Sequence, residues 1–179
     1  MLILAGDDQG RTGYADELRA QASALGLNDV VRLVGHVADV PAALSATHVA
    51  VIASTEPEAF GRSVTEAACM GTPAIATDLG APPETMLAHP RVPVSDATGW
   101  IVPPGDVTAL AQALADALAM PQASRSAMGE RARARTLEHF SLTAMKQKTL
   151  QVYDKLLLTK LTEVFDNAQQ SQKISVIPA

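Results

Sequence analysis

Apolar residues fall into short continuous runs and longer stretches with helical spacing. The short runs end at glycine or polar residues, as buried parallel strands do; they lie at 2–5, 30–34, 49–53, 74–76 and 100–102. The longer stretches repeat apolar residues every three or four positions and predict helices at 14–25, 40–46, 62–70, 106–118, 124–139 and 142–158. This alternation predicts an α/β fold, a Rossmann-like doubly wound parallel sheet covered on both faces.

The helical pattern weakens beyond Thr159. We therefore predict a folded domain over 1–158 and a tail over 159–179 that is helical at first and frayed over 168–173. In doubly wound sheets ligands bind beyond the C-terminal ends of the strands. The loops expected to carry function are therefore those at 6–13, 35–37, 54–62 and 78–84.

Composition narrows the class of protein. The 179 residues are 47% apolar, 18% charged and 3% aromatic, which indicates a globular domain with a core of small aliphatic side chains. The net charge of −5 argues against a nucleic-acid partner. The densest basic run, Arg131, Arg133 and Arg135, is interpreted as a solvated helix face, with weak contact to anionic lipid or phosphate as the alternative. Because no signal peptide or apolar run of about 18 residues is seen, we expect a cytoplasmic protein.

Several familiar chemical motifs are missing. The glycines at 6, 10 and 13 do not have the Gly-x-Gly-x-x-Gly spacing of dinucleotide sites, and no Gly-Lys pair marks a P-loop. The histidines are scattered, and no Asp-x-Asp pair is present to hold a metal–diphosphate complex. The single cysteine, Cys69, excludes an intrachain disulfide and is interpreted as a small buried helix residue.

The strongest candidate chemistry lies between Glu58 and Glu66, which are separated by seven residues. The helix predicted to start near Arg62 or Ser63 offers free backbone amides and a positive dipole end, which favour a phosphate. The Glu66 carboxylate could accept hydrogen bonds from two neighbouring hydroxyls, as on a ribose, and Glu58 from a second hydroxylated group. Two alternatives stay open: residues 63–66 also form a capping box, and Glu58 could be a solvated loop residue.

From residue 2 to about 153 the chain resembles the nucleotide-sugar-binding half of retaining GT-B glycosyltransferases of the group 1 type (family 4). Glu58-Ala-Phe-Gly and Glu66-Ala match the Glu-x7-Glu signature of that family. Three further segments match in the same order along the chain: Leu33-Val-Gly-His36, Met70-Gly-Thr-Pro73 and Thr98-Gly-Trp-Ile-Val-Pro-Pro-Gly-Asp106.

The resemblance implies a role for each matching residue. Glu58 would be the catalytic residue beside the donor sugar, and Glu66 would hold the ribose hydroxyls. The remaining donor-binding positions, which would contact the base, sugar and diphosphate largely through the main chain, are Gly6, His36, Val37, Phe60, Gly61, Ser63 and Val64. The reaction implied is glycosyl transfer with retention, from a UDP-, GDP- or ADP-linked sugar, without a metal cofactor. Envelope glycan synthesis, at the inner face of the membrane, is the implied setting.

The chain also departs from the family pattern. It has Gly80-Ala81 where the family usually has two glycines, which puts close backbone approach at Ala81 in doubt. The acceptor-binding half and the first strand of the donor half are expected to lie outside this chain, leaving the strands at 2–5 and 49–53 beside a gap. We therefore expect little activity from the chain alone, and we expect it to need an N-terminal acceptor domain, a partner chain or a strand-swapped copy of itself. A non-catalytic nucleotide-sugar-binding module and a degenerate remnant remain alternatives.

Overall fold

The computed structural model describes residues 1–7, 10–11 and 13–174. They form two compact units, Met1–Ala46 and a larger one that begins at Thr47. The strands of these residues pair in parallel, so the predicted α/β class is confirmed. They form two separate sheets, one in each unit. The predicted boundary after residue 158 stays a prediction.

The first unit contains β1 (Leu2–Ala5), α1 (Tyr14–Ala24), β2 (Val31–Gly35) and α2 (Val40–Ser45). The two strands run parallel, with Leu2 opposite Val31. Our prediction that β1 is buried is wrong, because Leu2 and Ile3 are 44% and 51% exposed. In the described residues β1 has β2 as its one neighbour, so an edge of the strand is left uncovered.

The second unit is built on a four-stranded parallel sheet. Its strands stand in the order β3 (Ala50–Ile52), β4 (Ala74–Thr77), β6 (Gly99–Val102) and β5 (Ala88–His89). Around it lie α3 (Arg62–Cys69), α4 (Pro82–Thr85), α5 (Val107–Ala119) and α6 (Gln122–His139). The core contains Ile75, Trp100 and Met128, each at most 2% exposed. Our prediction missed β5, which has only two residues, and overstated the burial of β3, where Val51 is 38% exposed.

The predicted solvated face of α6 is wrong for Arg131 and Arg135, which are half-buried, whereas Arg133 is exposed. Arg131 donates to the Ala97 carbonyl, and Arg133 donates to that of Cys69. Arg135 donates to the carbonyls of Glu84 and Thr85, at 3.3 and 3.4 Å. The cause is close packing of α6: a Cβ at Gly129 would lie 1.8 Å from the Gly71 carbonyl oxygen, so only glycine fits there. The guanidinium groups therefore donate to carbonyls at the ends of α3 and α4, which have no partner within their own helix, and to the loop carbonyl of Ala97.

Two helices end the described chain, α7 (Leu142–Leu157) and α8 (Leu161–Ile174). The helix α8 continues through the segment 168–173, and the fraying that we predicted there stays a prediction. The Asp154 carboxylate caps the start of α8, accepting the amides of Leu161 and Thr162 at 2.7 and 2.9 Å. The end of the predicted tail, 175–179, lies outside the described residues. None of the described helices is long and apolar enough to cross a membrane.

Candidate functional site

Glu58 lies in the loop that follows β3, and its carboxylate is held. The Ser54 hydroxyl donates to Glu58 Oε1, and the Ser54 carbonyl accepts a hydrogen bond from the Thr77 hydroxyl at 2.9 Å. Thr77 is the last residue of β4 and is 4% exposed. Glu58 itself is half-buried, so it differs from the solvated loop residue that the sequence left as an alternative.

The main chain of Glu58 pairs with the loop after β4. Glu58 and Gly80 form an isolated parallel bridge, and the Ala81 amide donates to the Glu58 carbonyl at 2.9 Å. Gly80 has φ +74°, and a Cβ there would lie 2.4 Å from the Glu58 carbonyl oxygen. Ala81 has an ordinary φ of −79°. The chain therefore has a glycine where its own backbone approaches Glu58, and the effect of Ala81 on close approach at the next position stays a prediction.

The N-terminus of α3 opens beside this loop. Gly61 is the N-cap, in the left-handed conformation at φ 69° and ψ 47°, and no side chain caps the helix. The buried Val64 donates its amide to the Gly61 carbonyl at 3.1 Å, within the first turn. In the described part of the chain, the amides of Arg62 and Ser63 have no hydrogen-bond partner. These two amides can therefore donate to a ligand, whereas the Val64 amide is already bonded.

Glu66 lies one turn into α3, and its side chain is half-exposed. Its carboxylate accepts a hydrogen bond from Arg62 at 3.2 Å, and the Arg62 side chain is 81% exposed. The capping box that residues 63–66 offered is wrong, because Gly61 starts the helix earlier and places Ser63 inside its first turn. A ligand can therefore bind the Glu66 carboxylate by displacing Arg62. Breaking this exposed ion pair costs only about 0 to 1 kcal/mol of folding stability.

Phe60 packs against a residue that the sequence analysis missed. Its ring meets Phe140 edge to face, with centroids 6.1 Å apart. The Arg135 guanidinium lies 5.8 Å from the centre of the Phe140 ring and also donates to the Glu84 and Thr85 carbonyls. Composition could have pointed to Phe140. The chain has only three phenylalanines, and one of them directly follows α6.

The other predicted residues belong to the first unit. Gly6, at φ 144°, follows β1 and donates its amide to the Gly35 carbonyl at 2.9 Å. His36 and Val37 follow β2, with His36 exposed and Val37 half-buried. The structure thus brings Gly6 close to the end of β2, at the carboxyl edge of that two-stranded sheet.

No three metal-binding side chains converge within residues 1–7, 10–11 and 13–174. Cys69, the last residue of α3, is a half-buried free thiol. The second unit thus presents two carboxylates and two helix amides at the carboxyl edge of its sheet. This arrangement suits a ligand with hydroxyls and phosphate, which is the class of ligand that nucleotide-binding α/β domains take.

Residues 1–135 match the family model described as Glycosyl transferases group 1, and the chain belongs to this family. The fold is that of GT-B glycosyltransferases, as the resemblance predicted.

Two relatives are mannosyltransferases. The chain is 32% identical over 144 residues to the lipopolysaccharide core biosynthesis mannosyltransferase LpcC of Rhizobium leguminosarum, which covers 80% of this chain and 38% of that protein. It is 36% identical over 104 residues to the phosphatidyl-myo-inositol mannosyltransferase of Mycobacterium leprae, covering 57% and 26% of the two chains.

Among solved structures, Anabaena Alr3699/HepE in complex with UDP superimposes with a TM-score of 0.74 and 27% identity. The match covers 86% of this chain and 40% of that one. The chain therefore spans between 26% and 40% of the length of these three proteins.

Proposed function

We propose that this chain is the donor-binding part of a retaining hexosyltransferase and that it binds a nucleotide diphosphate sugar without a metal ion. The observation that supports this most directly is the placement of Glu58 and Glu66 before and after the uncapped start of α3. Carboxylates accept hydrogen bonds from sugar hydroxyls, and a helix N-terminus attracts phosphate, so the three features suit the three parts of such a ligand.

In this proposal the diphosphate lies at the start of α3. The helix dipole contributes about 0.3 to 2 kcal/mol there, and the amides of Arg62 and Ser63 donate hydrogen bonds. Glu66 accepts bonds from the ribose hydroxyls, each worth about 1.5 to 3 kcal/mol. Arg62, released from its exposed pair with Glu66, turns towards the diphosphate and supplies positive charge.

The reaction proposed is transfer of the sugar to an acceptor hydroxyl. The acceptor oxygen bonds to the anomeric carbon on the face that the diphosphate leaves, which gives retention. The bond from the anomeric carbon to the diphosphate oxygen breaks, the leaving diphosphate keeps the electron pair, and one of its oxygens takes up the acceptor proton. Glu58, held by Ser54, accepts a hydrogen bond from a donor-sugar hydroxyl and fixes the sugar for this step.

The comparisons support a choice of donor for the first tests. The relatives named above are mannosyltransferases, and the HepE structure holds UDP. We therefore propose a hexosyl donor. Mannose is the first sugar to test, and the nucleotides to compare are UDP, GDP and ADP. An envelope glycan or glycolipid, reached from the cytoplasmic side of the membrane, is the proposed acceptor.

Activity is proposed to need a further segment. The strand β3 has β4 as its one neighbour in the described residues, and β1 has only β2. Unpaired strand edges attract other strands. We propose that an N-terminal acceptor half, a partner chain or a strand-swapped copy pairs with these edges. A monodisperse monomer of this chain that transfers sugar on its own would contradict this part of the proposal.

The test of the proposed function is an NMR titration of the 179-residue chain with UDP, GDP, ADP and their hexose conjugates. Saturable shifts at 61–66 that are lost in Glu66→Gln, and kept in the exposed control Glu130→Gln, would establish the donor site and name the base. Binding that never leads to transfer, even with an acceptor half added, would indicate a non-catalytic module. A folded chain that binds none of the nucleotides would indicate a remnant.

A further inference from the structure

Ser54 is tied to the sheet through its main chain. It stands two residues after Ile52, the end of β3, and its carbonyl accepts the Thr77 hydroxyl from the end of the neighbouring strand β4. Because Thr77 is buried, this bond fixes the carbonyl of Ser54 relative to both strands. The main chain that carries the Ser54 hydroxyl is thereby anchored to the end of β4.

Glu58 is held at two separate places. Its main chain pairs with Gly80 and Ala81, and one carboxylate oxygen, Oε1, accepts the Ser54 hydroxyl. A glutamate side chain has three rotatable bonds, and holding it at the tip as well as at the backbone restricts all of them. In the part of the chain that the structure describes, the other oxygen, Oε2, has no hydrogen bond.

We propose that Ser54 is a positioning residue, which holds Glu58 in one rotamer so that Oε2 faces a hydroxyl of the donor sugar. The proposal rests on the function proposed above, because it assigns the donor sugar to Glu58. Thr77 supports Ser54 from the neighbouring strand. A carboxylate that is already oriented loses less conformational freedom when the sugar binds, which favours the sugar over the nucleotide part alone.

The first part of the experiment needs no ligand. Scalar couplings of the Glu58 side chain, measured by NMR on the 179-residue chain, should report a single rotamer in the unmodified protein. They should report averaging over several rotamers in Ser54→Ala, and a single rotamer again in Ser54→Thr, which keeps the hydroxyl. Glu56, exposed in the same loop, is the internal control and should be averaged throughout. Unchanged Glu58 couplings in Ser54→Ala would overturn the proposal.

A second variant, Thr77→Val, tests the support of Ser54 without changing Ser54 or Glu58. Thr77→Val keeps the shape of the side chain and removes the bond to the Ser54 carbonyl, so it should loosen Glu58 as well. Ordered Glu58 couplings in a folded Thr77→Val would overturn the supporting role of Thr77. The amide spectra of the variants show whether the fold is kept.

The second part measures affinity for UDP and UDP-glucose, and for GDP and GDP-mannose. Ser54→Ala should weaken sugar-nucleotide binding by about three- to tenfold, leave nucleoside diphosphate binding unchanged, and have no further effect in Glu58→Ala, which removes the oxygen that accepts the Ser54 hydroxyl. Equal loss for both kinds of ligand, or no loss, would overturn the role towards the sugar. If no ligand binds even to the unmodified chain, the proposed function fails and the role towards the sugar fails with it, while the couplings decide whether Ser54 holds Glu58.

Discussion

Gly80 and Glu58 approach so closely that a Cβ on residue 80 would lie 2.4 Å from the Glu58 carbonyl oxygen and 2.6 Å from its amide nitrogen. Both atoms belong to the main chain, so a methyl group on residue 80 would displace the backbone at Glu58 or at residue 80 itself. The glycine therefore fixes where the catalytic candidate stands relative to β4.

Gly80→Ala should destabilise the fold by about 2 to 5 kcal/mol, the sum of a left-handed alanine and the displaced backbone. It should also weaken sugar-nucleotide binding, because Glu58 moves. Urea unfolding and calorimetric titration measure the two effects. The matched control is Gly105→Ala, which has the same φ of +74° but nothing within 4 Å of the added Cβ. Equal losses of stability in the two variants would show that the contact with Glu58 is unimportant.

Glu66→Gln separates ligand binding from helix capping. Because Glu66 bonds to Arg62 and not to the N-cap amide, the change should cost less than about 1 kcal/mol of folding stability. Nucleotide affinity should fall by about 1 to 2 kcal/mol, since a neutral amide accepts more weakly from ribose hydroxyls. Calorimetry on Glu66→Gln and on Glu130→Gln provides the comparison. Equal affinity in both proteins would remove Glu66 from the site.

Strand and helix positions could be predicted because apolar runs and glycine turns are local signals. The strand predicted at 74–76 is observed as β4, and the helix predicted at 106–118 is observed as α5, whose first turn is capped by the Asp106 carboxylate accepting the Ala109 amide at 2.9 Å. The two carboxylates Glu58 and Glu66 were also visible, since their spacing around a glycine turn lies within one short segment.

What could not be predicted depends on contacts between distant segments. Ser54 is held by Thr77, 23 residues away, and no local pattern indicates that pair. The arginines of α6 look solvated in the sequence, but the packing of Gly129 on Gly71 brings them to carbonyls at the ends of α3 and α4. The helix α8 looks weak by itself, and its start is stabilised by Asp154 from the preceding helix.

The pair of Phe60 and Phe140 should contribute to the order of the candidate site. Edge-to-face aromatic pairs add about 0.5 to 1.5 kcal/mol beyond the area that they bury. A double-mutant cycle of Phe60→Leu and Phe140→Leu, which keeps apolar volume, should show coupling of that size in urea unfolding. Phe140→Leu should also weaken sugar-nucleotide binding, since Phe60 loses its support. Additive effects in the cycle would mean that the rings contact each other without energetic consequence.

Asp154 should make the helix pair α7–α8 sensitive to acid. The pKa of its carboxyl is held well below the ordinary value, first by the Thr162 amide and also by the Thr159 hydroxyl and the Leu161 amide. A carboxyl whose folded pKa is depressed stabilises the fold above its unfolded pKa of about 3.9, and this contribution disappears as the pH falls towards the folded value.

Hydrogen exchange at the α8 amides, followed from pH 7 down to about pH 3, should therefore show protection that declines below about pH 4, after correction for the intrinsic rate. Asp154→Asn should lower protection at pH 7 and flatten its dependence on pH, because an amide does not titrate. Asp116→Asn is the control, since Asp116 is exposed and bonds the Gln112 side chain within α5. A steep decline that persists in Asp154→Asn would place the acid-sensitive group elsewhere.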